Sequence, residues 1–138
     1  MVAALVGLAG SPDYRDRADA GRALAGFAEA AEAAGPLLEL VLDAGDTFVT
    51  RATAEALLRR QDKAGLALVA AALAAADPGH ADWIEAAVLD VFSVLSTDRD
   101  AAVRWCEALA QDSDERVHRG AAELIAMLLE INPILHPA

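Results

Sequence analysis

The chain has 138 residues and a formal net charge of −11, with 22 acids against 11 lysines and arginines. Nucleic-acid phosphates and anionic membrane surfaces both need a basic footprint, so this balance excludes them as partners. Hydrophobic residues make up 56% but aromatics only 4%. Alanine and leucine must therefore carry the packing of a single all-α domain.

Punctuation divides the chain into eight expected helices. A short one over residues 2–9 stops at Gly10-Ser11-Pro12-Asp13, and a long one follows over 14–33. Gly35-Pro36 breaks it, with proline placed in the first turn of a helix over 37–43. Ala44-Gly45-Asp46 turns into a helix over 47–61, and Asp62 caps one over 63–76. The apolar run within the latter is shorter than the roughly 20 residues a bilayer needs, so it reads as a helix buried between neighbours. Asp77-Pro78-Gly79-His80 is a turn signal ahead of a helix over 81–95. Ser96-Thr97-Asp98 leads into 99–110, and Gln111-Asp112-Ser113-Asp114 opens 115–130. Short connections make these four antiparallel pairs. Residues 132–138 form a proline-punctuated tail expected to cover the open end of the stack.

One period organises the chain. Arg17, Arg51, Glu85 and Arg119 recur at a spacing of 34 residues, and Val49-x-Arg51-x-x-Ala54-Glu55 matches Val117-x-Arg119-x-x-Ala122-Glu123. Self-similarity at such a period is the mark of an α-solenoid, in which each unit buries its apolar face against its neighbours. Approximate units are 1–34, 35–62, 63–97 and 98–131. The segments Gly45-Asp46-Thr47-Phe48-Val49-Thr50-Arg51-Ala52 and Asp112-Ser113-Asp114-Glu115-Arg116-Val117-His118-Arg119 resemble the turn and second helix of a HEAT repeat. Ser11-Pro12-Asp13-Tyr14-Arg15-Asp16-Arg17 is a weaker copy. The unit is shorter than in most HEAT and armadillo repeats, and the tetratricopeptide signature of the same period is absent. The chain is most similar to the short bacterial HEAT-like repeats of the phycobilisome-lyase type. That resemblance implies a right-handed, armadillo-type superhelix. It also implies a ladder in which turn aspartates meet second-helix arginines: Asp13 with Arg17, Asp46 with Arg51, Asp114 with Arg119.

Chemistry-bearing clusters are sparse. Asp112-Ser113-Asp114-Glu115 and Asp98-Arg99-Asp100 lack the spacing of a calcium loop and stand where helix caps belong. His80, His118 and His136 lie too far apart for a metal pair on one helix. Cys106, the single cysteine, has no neighbouring base and reads as a small buried hydrophobe in a reducing compartment. Trp83 and Trp105 read as core residues. No phosphate loop or nucleophile elbow occurs, and residues 1–9 lack the basic start of a secretory signal. The expectation is a cytoplasmic protein without catalytic activity, cofactor or metal.

Its expected role is to bind another protein through the face of the second helices, with Thr50, Arg51, Glu55, Glu85, His118, Arg119 and Glu123 as the contact residues. The rows Arg51-Glu55-Arg59 and Glu115-Arg119-Glu123 place alternating charges at i, i+4 along that face. A second reading takes the acidity as functional. The protein would then be an immunity protein or antitoxin that blocks a basic, nucleic-acid-acting partner by charge complementarity. A third, which the resemblance alone suggests, is a chromophore lyase; the DNA glycosylases that share the architecture conflict with the acidic charge. Monomer and homodimer both remain open.

Overall fold

The computed structural model describes residues 1–137. Among them are eight α-helices and no strand: α1 (Val2–Ala9), α2 (Tyr14–Leu24), α3 (Ala31–Val41), α4 (Thr47–Arg59), α5 (Lys63–Ala75), α6 (Pro78–Phe92), α7 (Ser96–Leu109) and α8 (Glu115–Glu130). Among the described residues no helix is long and apolar enough to cross a membrane.

Aspartate starts most of the longer helices. The carboxylates of Asp13, Asp46, Asp62, Asp77 and Asp114 stand at the N-caps of α2, α4, α5, α6 and α8. Each accepts from amides of the first turn that have no partner inside the helix, and each meets the positive end of the helix dipole. Asp114 takes two such amides, those of Arg116 and Val117.

Several boundaries differ from the sequence reading: α7 starts at Ser96 instead of residue 99, α6 ends at Phe92 instead of residue 95, and two others have a clear physical reason. The long helix expected over 14–33 ends at Leu24, continues as a 3₁₀ turn over Ala25–Phe27, and the next α-helix starts at Ala31 with Pro36 inside it. Ala33, Leu37 and Leu40 share the buried side of α3 at i, i+4, i+7, which outweighs the hydrogen bond lost at proline. The second concerns α6, which begins at Pro78 and not after the turn. Asp77 as cap followed by proline at the first helical position is a favoured helix start, so the supposed turn signal is the first turn itself.

The odd-numbered helices α1, α3, α5 and α7 touch in order, and so do α2, α4 and α6. The last helix departs from this order, packing most extensively on α5, then on α7, and only lightly on α6. α5 is the centre of the fold, with Leu66, Val69, Ala70, Ala72 and Leu73 all buried. Three glycines set the close approaches. A Cβ on Gly120 would stand 2.8 Å from the Ala70 Cα and nearer still to its carbonyl group, so α8 lies almost in backbone contact with α5. Gly65 of α5 meets the Leu57 carbonyl of α4 in the same way, and Gly21 of α2 meets the Thr53 side chain of α4.

The C-terminal tail, expected over the open end of the stack, runs along the α6–α7 turn. The amides of Ile134 and Leu135 donate to the carbonyls of Ser93 (2.9 Å) and Val94 (2.8 Å), and Ser96 donates to the Leu135 carbonyl (2.9 Å). Arg99 Nη1 donates to the carbonyls of Leu128 (3.2 Å) and Ile131 (2.8 Å), closing the C-terminus of α8. Ala138 lies outside the described residues.

Candidate functional site

The exposed side of α2 and α4 carries a cluster of two aromatic rings and two arginines. Tyr14, in the first turn of α2, and Phe48, in the first turn of α4, meet edge to face with centroids 6.0 Å apart. The Arg22 guanidinium lies over the Phe48 ring at 5.3 Å, and that of Arg15 over Tyr14 at 5.8 Å. Both rings are about half-exposed, at 43% and 45%. Neither residue was singled out from sequence. The signal was present, however: Tyr14 and Phe48 are themselves 34 residues apart, one repeat period.

Further along α4, Arg51 forms ion pairs with Asp90 of α6 and, at 3.5 Å, with Glu55. The Arg51 guanidinium lowers the pKa of Asp90, and the hydrogen bond to Asp90 raises that of Arg51. Partial burial and the neighbouring Asp90 push Glu55 in the opposite direction, above the ordinary glutamate value. Arg51, Glu55 and Asp90 thus form one charged cluster linking α4 to α6.

The sequence-derived residues distribute unevenly. Arg51 and Glu55 are partly exposed on this face, and Glu85 is half-buried on α6. His118, Arg119 and Glu123 are exposed on α8. α8 packs chiefly on α5 and α7 and only lightly on α6, so Arg51 and Glu55 of α4 and His118, Arg119 and Glu123 of α8 stand on helices without substantial mutual contact. Thr50 must be withdrawn from the contact set. Its side chain is fully buried, and its hydroxyl, like that of Thr53, has no hydrogen-bond partner. Trp83 and Trp105, expected in the core, are 39% and 41% exposed. Each stands on the outward side of its helix, next to a buried residue, Ile84 and Cys106 respectively.

The aspartate–arginine ladder takes different rungs. Arg17 reaches Asp43, not Asp13, with Nε and Nη2 at 3.0 and 3.2 Å from the two carboxylate oxygens. Arg51 reaches Asp90 and Glu55, not Asp46, and Arg119 lies 3.6 Å from Glu115, not beside Asp114. Asp13, Asp46 and Asp114 cap their own helices, and the carboxylate that Arg17 meets is that of Asp43, in the turn before α4, which accepts the amides of Gly45 and Asp46 as well.

Two further groups have settled roles. Burial pushes the Cys106 thiol up to about 12, which keeps it protonated. His80, read from sequence as a turn residue, bridges α6 to the α3–α4 turn, beside a cleft of about 250 Å³ that Asp46, Thr47 and Trp83 help to line. No family model, no curated protein and no solved structure matches this chain.

Proposed function

We propose that the chain is a non-enzymatic, HEAT-like protein-binding module, a short α-solenoid that takes its partner on the exposed face of the second helices α2, α4 and α6. The observation that carries this reading is the half-exposed Tyr14–Phe48 pair braced by Arg22 and Arg15. Aromatic rings and arginines dominate the energetics of protein interfaces, since they offer large contact area at low entropic cost. Here two guanidiniums already lie over the rings. The 34-residue period and the ordered contacts of α2, α4 and α6 support the solenoid, while the displaced α8 marks where the last unit departs from a regular repeat.

A second reading, an acidic inhibitor of a basic protein, is favoured by α6. That helix carries Asp82, Glu85 and Asp90 and contains no lysine or arginine. Its partner would be captured rapidly at low salt and much more slowly at high salt.

One experiment separates these readings. The partner captured by the wild-type protein is titrated against Phe48→Ala, Arg51→Ala and the buried control Thr50→Val, each checked for unchanged helicity. The module reading expects Phe48→Ala to weaken binding at least tenfold at any salt concentration, with Thr50→Val neutral. Unchanged affinity for Phe48→Ala sinks the face; a loss confined to low salt transfers the argument to the acidic surface.

A further inference from the structure

His80 sits where two acceptors converge. Its Nδ1 is 3.0 Å from Oδ1 of Asp77, the cap of its own helix, and its Nε2 is 2.9 Å from the backbone carbonyl oxygen of Asp43 in the α3–α4 turn. Neither acceptor can donate. A neutral imidazole carries one N–H and one lone pair, so it satisfies one of them and turns a lone pair against the other. Only the imidazolium donates to both.

The acceptors are fixed in position. Asp43 is gripped by Nε and Nη2 of Arg17 from α2, and its carboxylate also receives the amides of Gly45 (3.1 Å) and Asp46 (2.8 Å). Asp77 is held by the His80 amide at 2.7 Å. The turn therefore cannot rotate its carbonyl away when the proton leaves. The charged groups around the ring are the carboxylates of Asp77, Asp43 and Asp46 and the Arg17 guanidinium, which Asp43 already engages. The side chain is 21% exposed, so water can deliver and remove the proton.

We infer that His80 is a proton-dependent latch that ties the first turn of α6 to the α3–α4 turn and narrows the cleft between them. With the proton bound, both hydrogen bonds form and α6 is pinned at its N-terminus. On deprotonation one bond is lost; the Asp77 carboxylate, the stronger acceptor, keeps the remaining proton on Nδ1, and the segment that bears Trp83 is released from the Asp43 carbonyl. The Asp43 carbonyl and the Asp77 carboxylate together raise the pKa of His80 in spite of its partial burial. A raised folded value means that the stabilisation is fully present below the ordinary histidine value of about 6.5 and is lost as pH rises through the folded midpoint.

The test is an NMR titration of the histidine rings in the full chain, with amide hydrogen exchange of residues 78–84 followed over the same pH range and corrected for intrinsic rates. His80 should titrate above about 6.5. Protection of those amides should fall as pH passes its midpoint. Asp77→Asn keeps an N-capping side chain while removing the charge, and should lower the midpoint. In His80→Gln the protection should no longer vary with pH. A wild-type midpoint at or below the ordinary value overturns the latch, as does amide protection that ignores the midpoint.

Discussion

Glycines at three helix crossings show how a residue without a side chain can dictate architecture. Gly120 lets α8 settle onto the backbone of α5 at Ala70, whereas Gly7 of α1 faces open space. The two make a matched pair of tests. Gly120→Ala forces a methyl group into a backbone carbonyl that cannot move aside, and overpacking of this kind costs about 1–3 kcal/mol or more. Gly7→Ala meets nothing and gains helix propensity, worth up to about 1 kcal/mol. Urea unfolding of both variants should therefore move the midpoint in opposite directions; equal shifts would disprove the α5–α8 contact. An isolated glycine inside a helical pattern does not by itself mark close packing, since Gly7 of α1 and Gly35 of α3 meet nothing. Nor does the identity of the neighbour follow from sequence, because Gly120 and Ala70 are far apart along the chain. Thr50 teaches the converse. Its place beside Arg51 suggested a contact residue, yet one position along a helix is a rotation of about 100°, enough to turn it into the core.

Helix starts were more legible than helix ends. An aspartate ahead of a helical stretch identifies its own cap, because its partners are the next two or three amides of the same segment. Asp46 and Asp114 satisfy this local chemistry, whereas the arginines that a repeat-based ladder assigned to them pair elsewhere, Arg51 with Asp90 and Glu55 and Arg119 with Glu115. Helix ends depend on distant groups. Arg99 closes α8 by donating to two of its last carbonyls, and Arg60 donates to the Ala25 carbonyl, where α2 runs out. No local pattern marks either arginine for that task. Arg99→Ala should cost about 2 kcal/mol, as hydrogen bonds from a charged donor do when buried carbonyls lose their partner. It should also speed amide exchange at Ile134 and Leu135, which pair with the α6–α7 turn. Exchange in the tail that stays at the wild-type rate would show that Arg99 does not hold it.

Across the whole molecule, acidity and stability are linked with a definite sign. Asp13 and Asp77 are lowered chiefly by backbone amides, Asp62 by Arg60 and Asp90 by Arg51. Their stabilisation is present above the unfolded aspartate value, near 3.9, and is lost as pH falls through the lower folded values. Glu55, raised by burial, acts in the opposite sense but is one group against four. The thermal midpoint should therefore fall between pH 4 and pH 2; a flat profile over that interval would contradict the pairing of these carboxylates. Sequence alone determined that the chain is helical, where most of its helices start, and the period that relates Tyr14 to Phe48 and Arg17 to Arg51. All of these rest on interactions within one helical turn or on repetition along the chain. Tertiary structure alone decided that Pro36 lies inside a helix, that α8 packs on α5, that Arg17 finds Asp43, and that His80 ties the start of α6 to the α3–α4 turn. Each of these is set by what the chain brings together in space, where a buried methyl group or a second acceptor outweighs the preference of the local segment.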